Sequence, residues 1–514
     1  MLCRLRLVCA FLAVAIHTTA DEPRAVRISA ADLRDRIHAF WIGQLAGNYI
    51  GFPFENLYTD EPLPVLVDRY YDFRDADVSG LRMNLDDRRG YIRILADTFG
   101  GAWSDDDTDV ELVTLHAVER HGLDLSYDEI VPFWKTHINR FIWSATRVAR
   151  DLMDQGHLPP ATGSRDLNPH WYTLSSQLKN EIWGVFYAGM PAPAARRAEW
   201  DARIMNDAWA VHPDIVYGAM FAAAFFESDP RRLVEFGATF LPEDSPYARG
   251  IRDLLRWRDE HADWREVRAL LHERYYREID GDEMPVPYLG AIINGLSGLL
   301  ALLYGGGDFT LTVGIATSAG YDCDNQAATC GALIGVMHGT KAIPTKFTHE
   351  LPSRGRWTTP FNDTYINYSR DALPAHFRIS ALVDRILAIT ERAIFEQGGR
   401  RIEVDGTPWY EVPFDTPAPA LKDALAATAP STPPTPLRPS GPLIDGQPLR
   451  SPTLPRSRQP RTAGLRPRRR DDTASTGSRT FEQAEGLIVR GQGDRLFRTR
   501  RRGPAMTPRN ARPG

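Results

Sequence analysis

Two acidic clusters hold the residues best suited to chemistry. The first is Asp322-Cys323-Asp324, set in Gly320-Tyr321-Asp322-Cys323-Asp324-Asn325-Gln326 after an apolar segment and before the small residues Ala327, Ala328, Gly331, Ala332 and Gly335. Carboxylates two residues apart, where a turn enters a helix, suit a hard cation that prefers oxygen ligands such as Mg²⁺ or Ca²⁺. Taken alone, the same pattern reads as an acidic helix start favoured by the helix dipole. The second cluster is Asp105-Asp106-Asp107, followed by Asp109 and Glu111. Dipole stabilisation offers only about 0.3–1 kcal/mol per charge, so a bound cation accounts better for like charges packed this densely. A further carboxylate, Glu55, closes the run Gly47-Asn48-Tyr49-Ile50-Gly51-Phe52-Pro53-Phe54-Glu55. Its apolar neighbours set it apart from an ordinary surface acid.

The elements that would carry these acids are helical. Ser29-Ala30-Ala31-Asp32 resembles a capping box, and Leu33, Ile37 and Phe40 follow at helical spacing. Gly43, Gly47 and Gly51 would let another backbone approach, and Pro53 would stop the helix. Val110, Val113, Ala117 and Val118 continue a helix out of the second cluster to His121-Gly122. Residues 56–100 read as a long irregular segment bordering a cleft. Residues 127–228 are helical and rich in aromatics, including Trp134, Trp143, Trp171, Trp183, Trp200 and Trp209; most would be core, with a few available to stack on a sugar or a base. Helices are expected over 202–227, 247–279 and 379–397. Residues 288–304 read as a buried helix rather than a membrane span, because Asn294, Ser297 and glycines interrupt it.

The net charge of −5 averages two different objects. Residues 417–514 are rich in Pro, Arg, Ser and Thr, and are expected to be a disordered basic tail that offers contact to anionic surfaces. The rest of the chain is acidic, so nucleic acid is not an expected partner of the core. Residues 1–20, with Arg4, Arg6 and the apolar run from Leu7 to Ile16, read as a secretory signal, so export to the periplasm or medium is expected. A short β-like appendage is expected over 398–416. Cys323 and Cys330, seven residues apart on one helix, would stand about 10 Å apart in rise, beyond disulfide reach. The usual zinc, redox, phosphate-loop and serine-nucleophile motifs are missing, and His116 and His212 read as ordinary residues.

Three motifs in this order, Gly47-Asn48-x-x-Gly51-x-Pro53-x-Glu55, Ser104-Asp105-Asp106-Asp107-Thr108 and Gly320-Tyr321-Asp322-Cys323-Asp324, resemble those of the ADP-ribosylglycohydrolase family. The resemblance implies an all-α, multi-helix domain over 28–397 that holds two Mg²⁺ ions, or Mn²⁺ or another divalent ion. It implies metal ligation by Asp105, Asp106, Asp107, Asp322, Asp324 and Asn325, a catalytic role for Glu55, and substrate contacts from Gly320, Tyr321 and Trp183. The implied activity is hydrolysis of an N- or O-glycosidic bond to ribose in small-molecule or protein-linked ADP-ribose, by a monomer. This chain departs from the family pattern in four places. Asn48 replaces an Asp, an extra acid leaves the register of Asp105–Asp107 open by one residue, and Asn325 stands where the family has Thr or Ser. The Gly-Asn-Gly-x-x-Met-Arg element has as its counterpart Asn180 to Gly189, without an Arg. Another nucleoside or glycoside as substrate, a non-catalytic binding relative, and phosphoester hydrolysis therefore stay open.

Overall fold

The computed structural model describes residues 24–72, 75, 80–84, 100–351 and 355–414. The expected signal, the basic tail and most of the second half of the irregular segment lie outside them. The Ser29 hydroxyl accepts a hydrogen bond from the Asp32 backbone N–H at 3.0 Å, and the helix behind that cap runs Ala30–Gly51. Its partner is the helix Cys323–His338. A β-carbon on Gly47 would fall 2.0 Å from the Ala327 carbonyl oxygen, and one on Gly43 would fall 2.4 Å from that of Gly331. Ascending positions on one helix meet descending positions on the other, so the two run antiparallel. The end of the first helix therefore lies against the start of the second, with Gly51 facing the Asp324 backbone.

Other helices enclose this pair. Asp106–His121 and Glu181–Phe186 supply buried acids, and Ile379–Glu396 packs against the first helix. Ala291–Gly305 is buried almost throughout, as the composition of 288–304 led one to expect, and Phe309–Ala319 is largely buried too. No helix among the described residues is long and apolar enough to cross a membrane. Cys323 and Cys330 are free and buried.

The fold is all-α with small β additions. The hairpin of Arg400–Val404 and Thr407–Phe414 gains a third, antiparallel strand from Arg24–Ser29, which pairs Arg24 with Phe414 and Ser29 with Trp409. That strand leads directly into the first helix and has no counterpart in the sequence-based expectations. A parallel pairing of Ala102–Trp103 with Thr364–Ile366 fixes the chain just before the second acidic cluster.

Candidate metal centre

The Asp105–Asp107 segment is held from both ends. Trp103 N–H donates to the Tyr49 hydroxyl at 2.6 Å, and Asp105 caps the following helix by accepting from Asp107 N–H at 3.4 Å. Between these, the Ser104 hydroxyl donates to Asn48 Oδ1 at 2.9 Å. That bond orients the amide, and Asn48 Nδ2 donates to Asp107 Oδ2 at 2.7 Å. Asn48 is fully buried. It therefore acts as a spacer between Ser104 and one specific carboxylate.

The second cluster sits opposite. Asp322 N–H donates to Asn294 Oδ1 at 3.2 Å, and Asp324 lies in the first turn of its helix. Ligand atoms of Glu55, Asp322 and Asp324 lie within 4.8 Å of one another, as do those of Asp105, Asp106 and Asp107. Asp107 and Asp324 line the same gap, near enough that the charge of Asp107 raises Asp324. A cavity of about 240 Å³ is lined by all six carboxyls, together with Asn56, Trp143, Ser144, Thr173, Leu174, Ser175, Leu178, Tyr288 and Leu289.

Such crowding has an electrostatic signature. Burial, then the neighbouring carboxylate Asp105, pushes Asp106 and Asp107 well above the usual carboxylate range. Burial, then Asp107 and Glu55, does the same to Asp324. Asp324 Oδ1 is buried without a hydrogen-bond partner. Buried oxygens of this kind, all acceptors when ionised, form a donor set for a hard divalent cation. Asn56 Nδ2 donates to Glu55 Oε1 at 3.0 Å and steadies that side chain at the cavity.

A match to the family model described as ADP-ribosylglycohydrolase covers residues 29–375. The chain belongs to the ADP-ribosylglycohydrolase family. A solved structure titled "ADP-ribosylglycohydrolase-related protein complex" is similar over 71% of this chain and 99% of its own, at 16% identity and a TM-score of 0.43. No curated protein matches.

The ADP-ribosylglycohydrolase motifs thus meet at one cavity, although not every expected residue reaches it. Gly320 shapes the turn, with φ at 82° and the Tyr58 carbonyl oxygen 1.8 Å from where a β-carbon would sit. Tyr321 and Trp183, expected beside substrate, are fully buried and stand off the cavity lining. Trp183 Nε1 donates to Asp201 at 3.0 Å. Asn325, expected as a ligand, is buried off the lining with its Oδ1 accepting from Gln326 at 2.9 Å. The sequence reading also passed over Arg370. Its guanidinium forms an ion pair with Asp109, Nε to Oδ1 at 2.8 Å, with both side chains fully buried, and its Nη2 donates to the Phe141 carbonyl at 2.9 Å. No local signal marks it, because its partners are distant in sequence.

Proposed function

We propose that this protein is a metal-dependent glycohydrolase that cleaves an N- or O-glycosidic bond to ribose, with ADP-ribosyl conjugates as its substrate class. The observation that carries the reading is the meeting of Asp107 and Asp324, from segments far apart in sequence, in a cavity lined by six carboxyls. Family membership supplies the reaction class. Asp105, Asp106, Asp107, Asp322 and Asp324 would hold the ions, Mg²⁺ by the hardness of the donors. Bound divalent cations orient sugar hydroxyls and lower the pKa of water.

The remaining steps belong to the chain. Glu55, steadied by Asn56, takes a proton from the attacking water and returns one to the leaving group. Leu174, Leu178 and Leu289 form the apolar part of the wall and exclude bulk water from the reacting bond. Trp143, exposed beside them, offers a flat surface at the same wall. The leader-like residues 1–20 support an exported enzyme.

The test is a turnover screen of ADP-ribosyl-arginine, ADP-ribosyl-serine, nucleosides and simple phosphoesters, with Mg²⁺ or Mn²⁺ and with EDTA. Release of ADP-ribose that requires the metal and is abolished in Asp324→Asn and Glu55→Gln is the expected result. Metal-dependent turnover of nucleosides alone would overturn the substrate class and leave the glycohydrolase. Turnover of phosphoesters alone would overturn both.

A further inference from the structure

Tyr321 separates the glycine turn from the first acid of the second cluster, yet its ring faces away from the cavity. We propose that Tyr321, clamped by Arg268 and His272, is a positioning residue that holds Glu55 against Asp322 and Asp324, an inference that rests on the metal-centre reading above.

The backbone carries the first half of the argument. Gly320 and Tyr321 are successive left-handed residues, at φ 82° and 65°. A tyrosine rarely adopts this conformation and keeps it only where its surroundings over-determine it. Here Tyr321 N–H donates to the Tyr58 carbonyl at 3.2 Å, and Asn56 N–H donates to the Tyr321 carbonyl at 2.9 Å. Glu55 immediately precedes Asn56, and Asp322 immediately follows Tyr321. Two backbone hydrogen bonds therefore join the two segments that bear these acids, and the one between Asn56 and Tyr321 lies one residue away from each acid.

The ring and the guanidinium carry the second half. The Tyr321 ring is fully buried, with its hydroxyl 2.9 Å from His272 Nδ1 and the Arg268 guanidinium 4.5 Å from its centroid. Arg268, itself buried, donates to the carbonyls of Thr59 at 2.8 Å, Asp60 at 2.6 Å and Ala319 at 3.1 Å. The first two belong to the Glu55 segment and the third to the helix end before Gly320. One planar group with donors in a fixed fork thus binds both segments while covering the face of the residue between them. With the clamp in place, the Glu55, Asp322 and Asp324 oxygens stay gathered. Without it, only the two backbone hydrogen bonds hold the left-handed tyrosine in its conformation.

Two variants separate positioning from simple packing. Tyr321→Gly suits the left-handed backbone and removes the ring, and Arg268→Met removes the fork and keeps most of the bulk. Mn²⁺ titration followed by electron paramagnetic resonance reads the metal centre, and amide hydrogen exchange of residues 54–60 reads the clamp with no metal added. In both variants the expected result is faster exchange over 54–60 and Mn²⁺ affinity weaker by about tenfold or more, as is common when an outer partner of a ligand is lost. Tyr321→Phe, which keeps the ring under Arg268, should stay nearer to wild type than either. Wild-type exchange and wild-type Mn²⁺ affinity in Tyr321→Gly would overturn the proposal, even if Arg268→Met fails to fold. A wild-type protein that binds no Mn²⁺ would overturn the metal-centre reading instead, and the exchange data would still decide whether Tyr321 and Arg268 clamp the two segments.

Discussion

At the residue scale, Asn48 shows how a departure from the family pattern is accommodated. Its amide has one donor and one acceptor end, and Ser104 occupies the acceptor end. The donor end must then face Asp107, which leaves the other Asp107 oxygen for the cavity. A carboxylate at position 48 would offer no donor and would set like charges against each other. The loss of the donor can be tested with Asn48→Leu, which keeps the volume and removes both polar ends. Its metal affinity, measured by calorimetric titration with Mg²⁺, should fall by about tenfold or more. The metal-induced rise in Tm should shrink with it, because stabilisation by a ligand depends on its affinity. A change in Tm that is equal with and without metal would show that Asn48 only packs.

At the scale of elements, the crossing of Ala30–Gly51 with Cys323–His338 sets the distance between Glu55 and Asp324. Gly47→Ala tests how closely. Alanine is the better helix former by about 0.5–1 kcal/mol, but its β-carbon would lie 2.0 Å from the Ala327 carbonyl oxygen, which belongs to backbone and cannot swing aside. Overpacking of this kind costs about 1–3 kcal/mol, so the net effect should be a loss of stability, visible as a lower urea midpoint. A close approach at Gly43, Gly47 and Gly51 was legible in the sequence because small residues recur there at helical spacing, but which helix makes the approach was not. The acids were legible because each cluster is local. Side-chain direction was not legible: Tyr321 and Trp183 lie in or beside motifs, yet the left-handed turn and the surrounding helices send their rings into the core. Arg370 and the strand Arg24–Ser29 escaped notice for a related reason, since each acts only through partners far along the chain.

At the scale of the whole molecule, the interior holds a second layer of acids away from the cavity. Glu181 accepts from the Thr329 hydroxyl at 2.5 Å, and Asp214 accepts from Ser176 at 2.8 Å and Asn180 at 2.6 Å. Lys179 is buried nearby but is paired with Asp201 at 2.6 Å. Burial pushes Glu181 up to about 7 and Asp214 up to about 8, with the Glu181 charge also raising Asp214. Hydrogen bonds and Lys179 pull the other way without prevailing. Folding therefore retains a proton on Asp214 at neutral pH that the unfolded chain gives up near the ordinary carboxylate value of about 4. Below that value both states are protonated and the stability is fully present. As pH rises toward 8 only the unfolded state has lost the proton, so stability falls by up to about 1.4 kcal/mol per pH unit, and the fall levels off above the folded value. Asp214→Asn mimics the neutral acid in shape and charge, and its amide can meet Ser176 and Asn180 in their present positions. Urea midpoints from pH 5 to 8, at fixed Mg²⁺, should therefore decline more steeply in wild type than in Asp214→Asn. Parallel curves would mean that Asp214 is already ionised in the folded state and that this layer holds charge rather than protons.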